Sequence, residues 1–117
     1  MPRFTNLRVW NEAREVLRLV SRFTTDMQSE GDLRSQMRRA ALSIVSNISE
    51  GSERGSDREF HRFLKMARGS CAELHAQVLI ASDLGLLGEE HVTACDERLE
   101  RLGRMLTRLM QAVAGGG

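Results

Sequence analysis

The chain has 117 residues, of which 41% are hydrophobic and 28% charged, a composition typical of one globular domain. A formal net charge of only +1 gives no bulk electrostatic case for nucleic acid, so any such case depends on how the charge is distributed. The two cysteines form no disulfide framework, and no apolar run reaches the roughly 18 residues of a membrane span. Since no secretion signal opens the chain either, the sequence predicts a cytoplasmic protein with no membrane contact.

Apolar residues recur at three- and four-residue spacing in four segments, and no alternating β pattern competes with them. The predicted helices cover about residues 6–26, 32–50, 57–84 and 89–112. The last has the most regular seam, with Leu99, Leu102, Leu106 and Leu109 at heptad spacing. Four amphipathic helices joined by short turns predict an all-α fold, an up-down-up-down antiparallel four-helix bundle, with residues 1–117 as a single domain.

The hairpin of helices two and three carries the strongest local signals. Ser56 and Glu59 have the spacing of a capping box, in which each side chain accepts from the other residue's amide. Gly51 follows the last apolar residue of helix two, where a left-handed C-terminal position is expected. Gly69 lies inside helix three, where glycine costs about 1 kcal/mol relative to alanine. We therefore expect Gly69 and Ser70 to contact another backbone.

Helices two and three also carry more apolar surface than one bundle needs. Val78, Leu79 and Ile80 are apolar at consecutive positions, so no single helix face buries all three. Ala40 and Ala41 are small enough to let another helix approach. We expect something besides the core of this chain to cover part of this surface.

Two pairs, Cys71/His75 and His91/Cys95, have the i,i+4 spacing of metal ligands on one helix face. In a hairpin of helices three and four, Cys71 and His91 lie roughly 16 Å apart along the helix axes, too far for one ion. The two cysteines lie roughly 10 Å apart, too far for a disulfide. The sequence therefore predicts buried cysteines and surface histidines rather than a metal site.

An acid–base cluster can be drawn from polar residues of the hairpin, namely Ser43, Asn47, Glu50, Glu59, Glu73 and Gln77. However, Glu59 already has a capping role and Glu50 lies at a helix end. A single Asn47 beside an apolar stripe more often fixes helix register than performs chemistry. Because the sequence also has no nucleophile motif and no phosphate-binding glycine loop, it predicts neither an enzyme nor a cofactor.

Arginine stripes are the feature that most favours a function, since arginine outnumbers lysine sixteen to one. The candidate nucleic-acid-binding residues are Arg14, Arg18 and Arg22 on helix one and Arg58, Arg62 and Lys65 on helix three. Further stripes are Arg34 with Arg38 on helix two and Arg101, Arg104 and Arg108 on helix four. Arginine suits bidentate phosphate contacts. Like charges one turn apart repel by a few tenths of a kcal/mol, so a nucleic-acid backbone, acids of a neighbouring subunit or solvent must compensate.

Several segments resemble the family of small four-helix-bundle proteins named for the intervening sequences of bacterial 23S rRNA genes. They include LRVW at 7–10, QMRRAA at 36–41 and NISEG at 47–51, and the likeness covers nearly the whole chain. The motif positions are Asn47, Glu50, Gly51, Ser56, Glu59, Gly69, Ser70 and Glu73. The departures are mild: TTDM at 24–27 replaces a common Phe-Pro, and NISEG replaces NIAEG.

The resemblance implies antiparallel bundles that assemble as homopentamers, in a family whose own function is largely unassigned. The family is distantly similar to the accessory proteins of diversity-generating retroelements, which bind reverse transcriptase and nucleic acid, and this favours a nucleic-acid role by analogy. We therefore expect a non-enzymatic oligomer that binds RNA or DNA through its arginine stripes. The alternative is an oligomeric scaffold or adaptor for a protein partner.

Overall fold

Helices make up nearly all of the structure, a computed structural model that describes residues 3–25, 27 and 31–116. A short 3-10 helix precedes four α-helices, which are α1 (Arg8–Thr25), α2 (Gly31–Ser52), α3 (Asp57–Asp83) and α4 (Glu89–Gly116). The described ranges contain no β-strand. The predicted all-α class is confirmed.

Each helix runs antiparallel to the two helices beside it. Residue numbers rise on α3 as they fall on α4 in the contacts Arg68–Thr107, Cys71–Leu99 and His75–Asp96. Across α1 and α4, Glu12 bonds Arg98 near one end, and the Phe23 ring lies 6.0 Å from the His91 ring near the other. In the described residues no Cα atom of α1 lies within 8 Å of a Cα atom of α3, so the two helices occupy diagonal corners. The up-down-up-down bundle is confirmed.

The core is aliphatic and runs the length of the bundle. Its largest fully buried side chains include Met37, Ile44, Ile48, Leu64, Leu74, Leu102 and Leu106. On α4 the buried seam follows the predicted heptads until the last turn, where Met110 is buried and Leu109 is only half-buried. A straight helix has 3.6 residues per turn, so a 3.5-residue repeat drifts round its surface, and the seam moves by one position.

The helix ends differ from the sequence prediction at several points. The 3-10 helix covers Arg3–Asn6, so α1 begins at Arg8 and not at residue 6. The predicted end of the first helix, Asp26, lies outside the described residues. α2 continues to Ser52 and α4 to Gly116, both beyond the predicted ends at 50 and 112.

The start of α3 confirms half of the predicted capping box. The Ser56 hydroxyl accepts a hydrogen bond from the Glu59 amide at 3.1 Å. The Glu59 carboxylate does not return the bond to the Ser56 amide, because it accepts from Arg62 Nε at 2.8 Å. That hydrogen bond also lowers the pKa of the Glu59 carboxyl below its ordinary value.

Gly51 has a different role from the predicted left-handed cap, which was wrong. It lies inside α2, whereas the left-handed glycines among the described residues are Gly55 (φ 84°) and Gly85 (φ 70°). A Cβ added at Gly51 would lie 2.5 Å from the Cβ of Phe63 on α3. Only a glycine lets α2 and α3 approach this closely.

Gly69 does not make the predicted contact with another backbone of this chain. A Cβ added there would meet no atom within 4 Å. Its neighbour Ser70 does face α2, because its hydroxyl lies 2.9 Å from the Ser43 hydroxyl, and Asn47 Nδ2 donates to that same Ser43 oxygen at 3.0 Å. The polar motif residues therefore link α2 to α3, while Gly69 is exposed.

Substituting these two glycines should have opposite effects on stability. Gly51→Ala forces α2 and α3 apart and should lower the free energy of unfolding by about 1–3 kcal/mol. Gly69→Ala adds a helix-favouring residue in open space and should raise it by about 0.5–1 kcal/mol. Urea denaturation followed by circular dichroism measures both. A Gly51→Ala variant as stable as the wild type would contradict the close approach.

Candidate nucleic-acid interface

The arginines of α1 lie on the outer face of that helix. Arg14 stacks over the Trp10 ring, with its guanidinium carbon 4.6 Å from the ring centre. Arg18 forms an ion pair with Glu15, and Arg22 is exposed near the end of the helix. Only Arg18 therefore has its charge compensated by a carboxylate within this stripe.

The arginines of α3 lie at the diagonal corner of the bundle. Arg62 is paired with Glu59 and lies 4.8 Å from the centre of the Phe63 ring. Arg58 and Lys65 are exposed and form no ion pair or hydrogen bond with the described residues. Because α1 and α3 lie at diagonal corners of the bundle, the six candidate residues form two separate groups and not one surface.

The arginines of α2 serve the contact with α1. Arg38 Nε donates to the Thr24 hydroxyl at 2.8 Å, and Arg34 donates to the Met27 carbonyl at 3.0 Å. These bonds satisfy main-chain and side-chain oxygens near the end of α1. Arg34 and Arg38 of the helix-two stripe therefore stabilise the contact between α2 and α1.

A groove between the start of α1 and the end of α4 brings the α4 arginines next to the α1 arginines. It has a volume of about 600 Å³, and it is lined by Leu7, Arg8, Val9, Arg101, Arg104, Met105, Arg108 and Leu109. A shallower cavity of about 360 Å³ continues it along α1 and shares Arg8, Arg101 and Met105 with it. We refer to the two together as the α1–α4 groove.

Positive charge dominates the α1–α4 groove. Its lining includes six arginines, which are Arg8, Arg14, Arg18, Arg101, Arg104 and Arg108, against the two carboxylates of Glu12 and Glu15. In the part of the chain that the structure describes, the side chains of Arg8, Arg104 and Arg108 form no ion pair or hydrogen bond. The groove therefore holds guanidinium groups that are free to bind an anion.

Glu12 holds this surface in place. Its carboxylate, whose side chain is only 10% exposed, accepts from Arg98 at 3.1 Å and lies 3.8 Å from an Arg101 nitrogen. Arg98 and Arg101 are 42% and 59% exposed, so water screens the charges on their side of the contact. The contact joins α4 to α1 beside the groove.

A second groove lies on the other side of α4, between α3 and α4, with a volume of about 540 Å³. Arg104 and Arg108 line it as well, together with Arg68, which donates to the Thr107 hydroxyl at 3.4 Å. The two unpaired arginines of α4 therefore form a ridge between the grooves.

The sequence pattern identifies the α4 stripe, but the predicted nucleic-acid-binding residues do not include it. Arg8 is not among the predicted residues either. The candidate residues were grouped by spacing along single helices, whereas the groove joins the first turn of α1 to the last turns of α4. The antiparallel order of the predicted bundle was the available signal, since it places the first turn of α1 beside the last turns of α4.

The α3–α4 groove also contains the residue types of a thiol enzyme. Cys71 and His75 line it, and the His75 ring bonds the Asp96 carboxylate. However, the Cys71 thiol is 3% exposed and donates to the Leu99 carbonyl at 3.5 Å. Burial raises its pKa from 9.0 to about 11, the opposite of the change that activates a nucleophilic thiol. We therefore interpret Cys71, His75 and Asp96 as residues that stabilise the contact between α3 and α4.

Cys95 is likewise buried and free of any disulfide, and burial raises its pKa to about 12. Cys71 lies beside Leu99 and not level with Cys95, which agrees with the separation predicted for the two cysteines. Within the described ranges no three His, Cys, Asp or Glu side chains come together as a metal site.

The polar hairpin residues are only partly brought together, since Ser43 and Glu73 line one cavity of about 280 Å³ that Glu50 does not line. Glu50 pairs with Arg54 at 2.6 Å near the end of α2. Glu73 accepts from Gln77 Nε2 at 3.3 Å, further along α3. Ser43 and Ser70 bond each other, as described above. Each of these groups serves a contact within or between helices.

Thiol reactivity tests the structural interpretation of the cysteines. A pKa of about 11 leaves Cys71 roughly 100-fold less ionised at pH 8 than an unfolded thiol with a pKa of 9.0. We therefore expect iodoacetamide to alkylate the folded protein at least about 100-fold more slowly than the urea-unfolded chain. Mass spectrometry of Cys71→Ala and Cys95→Ala assigns each site. A folded thiol that reacts as fast as the unfolded one would indicate an activated nucleophile.

Comparison with known proteins agrees with this architecture. Residues 5–108 match the profile of the 23S rRNA-intervening sequence protein family. The chain belongs to this family. A crystal structure of a protein of unknown function from the S23 ribosomal protein family of Bacteroides thetaiotaomicron has a TM-score of 0.80 to this chain, at 20% sequence identity. The alignment covers 87% of this chain and 97% of that one, and it shows the shared fold. No curated protein matches the chain.

The solved relative is itself described as of unknown function, so it assigns no activity to this chain. None of the helices that the structure describes has the length and apolar character to cross a membrane. The candidate functional features are the charged and apolar surfaces of the bundle.

Proposed function

We propose that this 23S rRNA-intervening sequence protein is a non-enzymatic, self-associating bundle that binds the phosphate backbone of RNA or DNA through the α1–α4 groove. The observation that carries the proposal is the clustering of six arginines against two carboxylates, with Arg8, Arg104 and Arg108 unpaired. The chain as a whole is nearly neutral, so this concentration is local and not a consequence of composition.

A phosphate backbone explains why the repulsion within this cluster is tolerated. Arg101, Arg104 and Arg108 lie within two turns of α4, and each like-charged neighbour costs a few tenths of a kcal/mol. Guanidinium groups bind phosphate oxygens through paired hydrogen bonds, and each contact releases counterions from the nucleic acid. Phosphate binding therefore offsets the electrostatic repulsion among the arginines of this cluster.

Charge reversal on α4 tests the proposal. The double variant Arg104→Glu/Arg108→Glu should weaken binding of a labelled RNA or DNA oligonucleotide by at least about tenfold at physiological salt, because two phosphate contacts become repulsive. Fluorescence anisotropy measures the affinity, and circular dichroism checks that the helices remain.

The matched control is Arg58→Glu/Lys65→Glu, which changes the net charge equally at the diagonal corner of α3. We expect this control to retain most of the affinity. If the α3 control loses binding while the α4 variant keeps it, the interface lies on the α3 stripe. Absence of binding by the wild type, even at low salt, would contradict the proposal and favour the adaptor function.

Self-association is supported by apolar side chains that the chain leaves exposed. Met66, Ile80 and Leu84 lie on one face of α3 and are 46%, 46% and 58% exposed, and Leu42 of α2 is 52% exposed. A second copy of the chain would cover this face, and the family resemblance sets the expected number of subunits at five.

Adding charge to this face should dissociate the oligomer. Met66→Glu/Ile80→Glu places carboxylates on the face, so the mass from light scattering should fall toward the 13.2 kDa of one chain. Leu79→Glu is the control, because Leu79 is 48% exposed but projects about 100° round the helix from Ile80. An unchanged mass in the double variant would place the interface elsewhere.

The adaptor function predicts a different response of the same arginines. If acids of a neighbouring subunit compensate the α4 stripe, Arg104→Glu/Arg108→Glu lowers the oligomer mass. If nucleic acid compensates it, the mass stays constant while the affinity falls. Light scattering of the α4 variant therefore separates the two functions.

A further inference from the structure

The α1–α4 groove combines an apolar floor with a charged rim. Leu7, Met105 and Leu109 are half-buried on the floor, beside the buried Val9. Arg8, Arg101, Arg104 and Arg108 form the rim. Phosphate binding alone requires only the rim, so the floor indicates a ligand that also has an apolar face.

Duplex and single-stranded nucleic acids differ in whether they expose an apolar face to a protein. In a duplex the bases are stacked and paired inside, and the backbone shields them from a groove lined by arginine. A single strand can turn its unstacked bases outward and lay their faces on protein surfaces while its phosphates bind basic side chains.

We propose that the α1–α4 groove binds single-stranded RNA or DNA, with bases on the floor and phosphates at the rim. This inference rests on the proposed function, and it names the form of nucleic acid that the site selects.

The groove has the size and the side chains for this binding mode. The volume of its main cavity, about 600 Å³, is in the range of pockets that enclose small organic ligands. Guanidinium planes stack on bases, and the polarizable sulfur of Met105 makes favourable contacts with aromatic rings, so the site needs no aromatic residue. From Arg8 to Arg18 the arginines follow α1 for about 15 Å, which gives the backbone a track to follow.

Three probes with the same number of phosphates per strand test the preference: a single-stranded oligonucleotide, its duplex and an abasic strand that lacks bases. The wild type should bind the intact single strand at least about tenfold more tightly than the abasic strand or the duplex, because only the intact strand has free base faces. Fluorescence anisotropy at one fixed salt concentration compares the three.

Variants of the floor and of the rim separate the contribution of base contacts to the affinity from that of phosphate contacts. Met105→Ser should reduce the preference for the intact strand over the abasic strand, because it removes one apolar side chain of the floor, and Met105→Leu should keep the preference. Arg104→Ala should weaken binding of all three probes alike. Circular dichroism confirms that each variant is folded.

Equal affinity for the intact and abasic strands, or tighter binding of the duplex, would overturn the single-strand assignment while leaving the proposed function intact. Displacement of the intact strand by polyglutamate as readily as by unlabelled strand would also overturn it, since the groove would then select an acidic peptide as well. Failure of all three probes to bind would overturn the proposed function, and this inference with it.

Discussion

The contact between Glu12 and Arg98 is the interaction on which the candidate site depends. α1 and α4 are far apart in sequence, no turn connects them, and their contact closes the bundle. A mostly buried carboxylate accepts from Arg98, lies near Arg101, and joins the two helices in their antiparallel register. That register brings Arg8 to the same groove as Arg101, Arg104 and Arg108.

The two sides of the bundle carry different chemistry as a result. Around the last turns of α4 the surface is basic, and Arg104 and Arg108 form no ion pair there with any described residue, whereas the exposed face of α3 nearer α2 carries apolar side chains. A nearly neutral chain can in this way present a locally basic surface without the self-repulsion that a high net charge causes in the folded state. Oligomerisation through the apolar face would leave the basic grooves accessible and repeat them in each subunit.

Local sequence signals predicted the helices, the fold class and the Ser56 cap, because these depend on periodicity and on neighbours within one turn. Gly51 was misjudged because its role depends on Phe63 of another helix, which spacing along α2 does not reveal. The arginine stripes were located correctly as helical rows. Which rows share a surface depends on the arrangement of the helices, and α1 and α3 proved to be diagonal while α1 and α4 are adjacent.

The salt dependence of binding tests the central claim most directly. Anisotropy titrations of a labelled single strand with the nucleic-acid-free wild-type protein, repeated from low to physiological salt, give the slope of log affinity against log salt. Our account predicts a linear decrease with a slope of about −0.7 per phosphate neutralised, and hence a steeper total slope when several arginines of the groove take part. Binding that does not change with salt, or no binding at low salt, would contradict it.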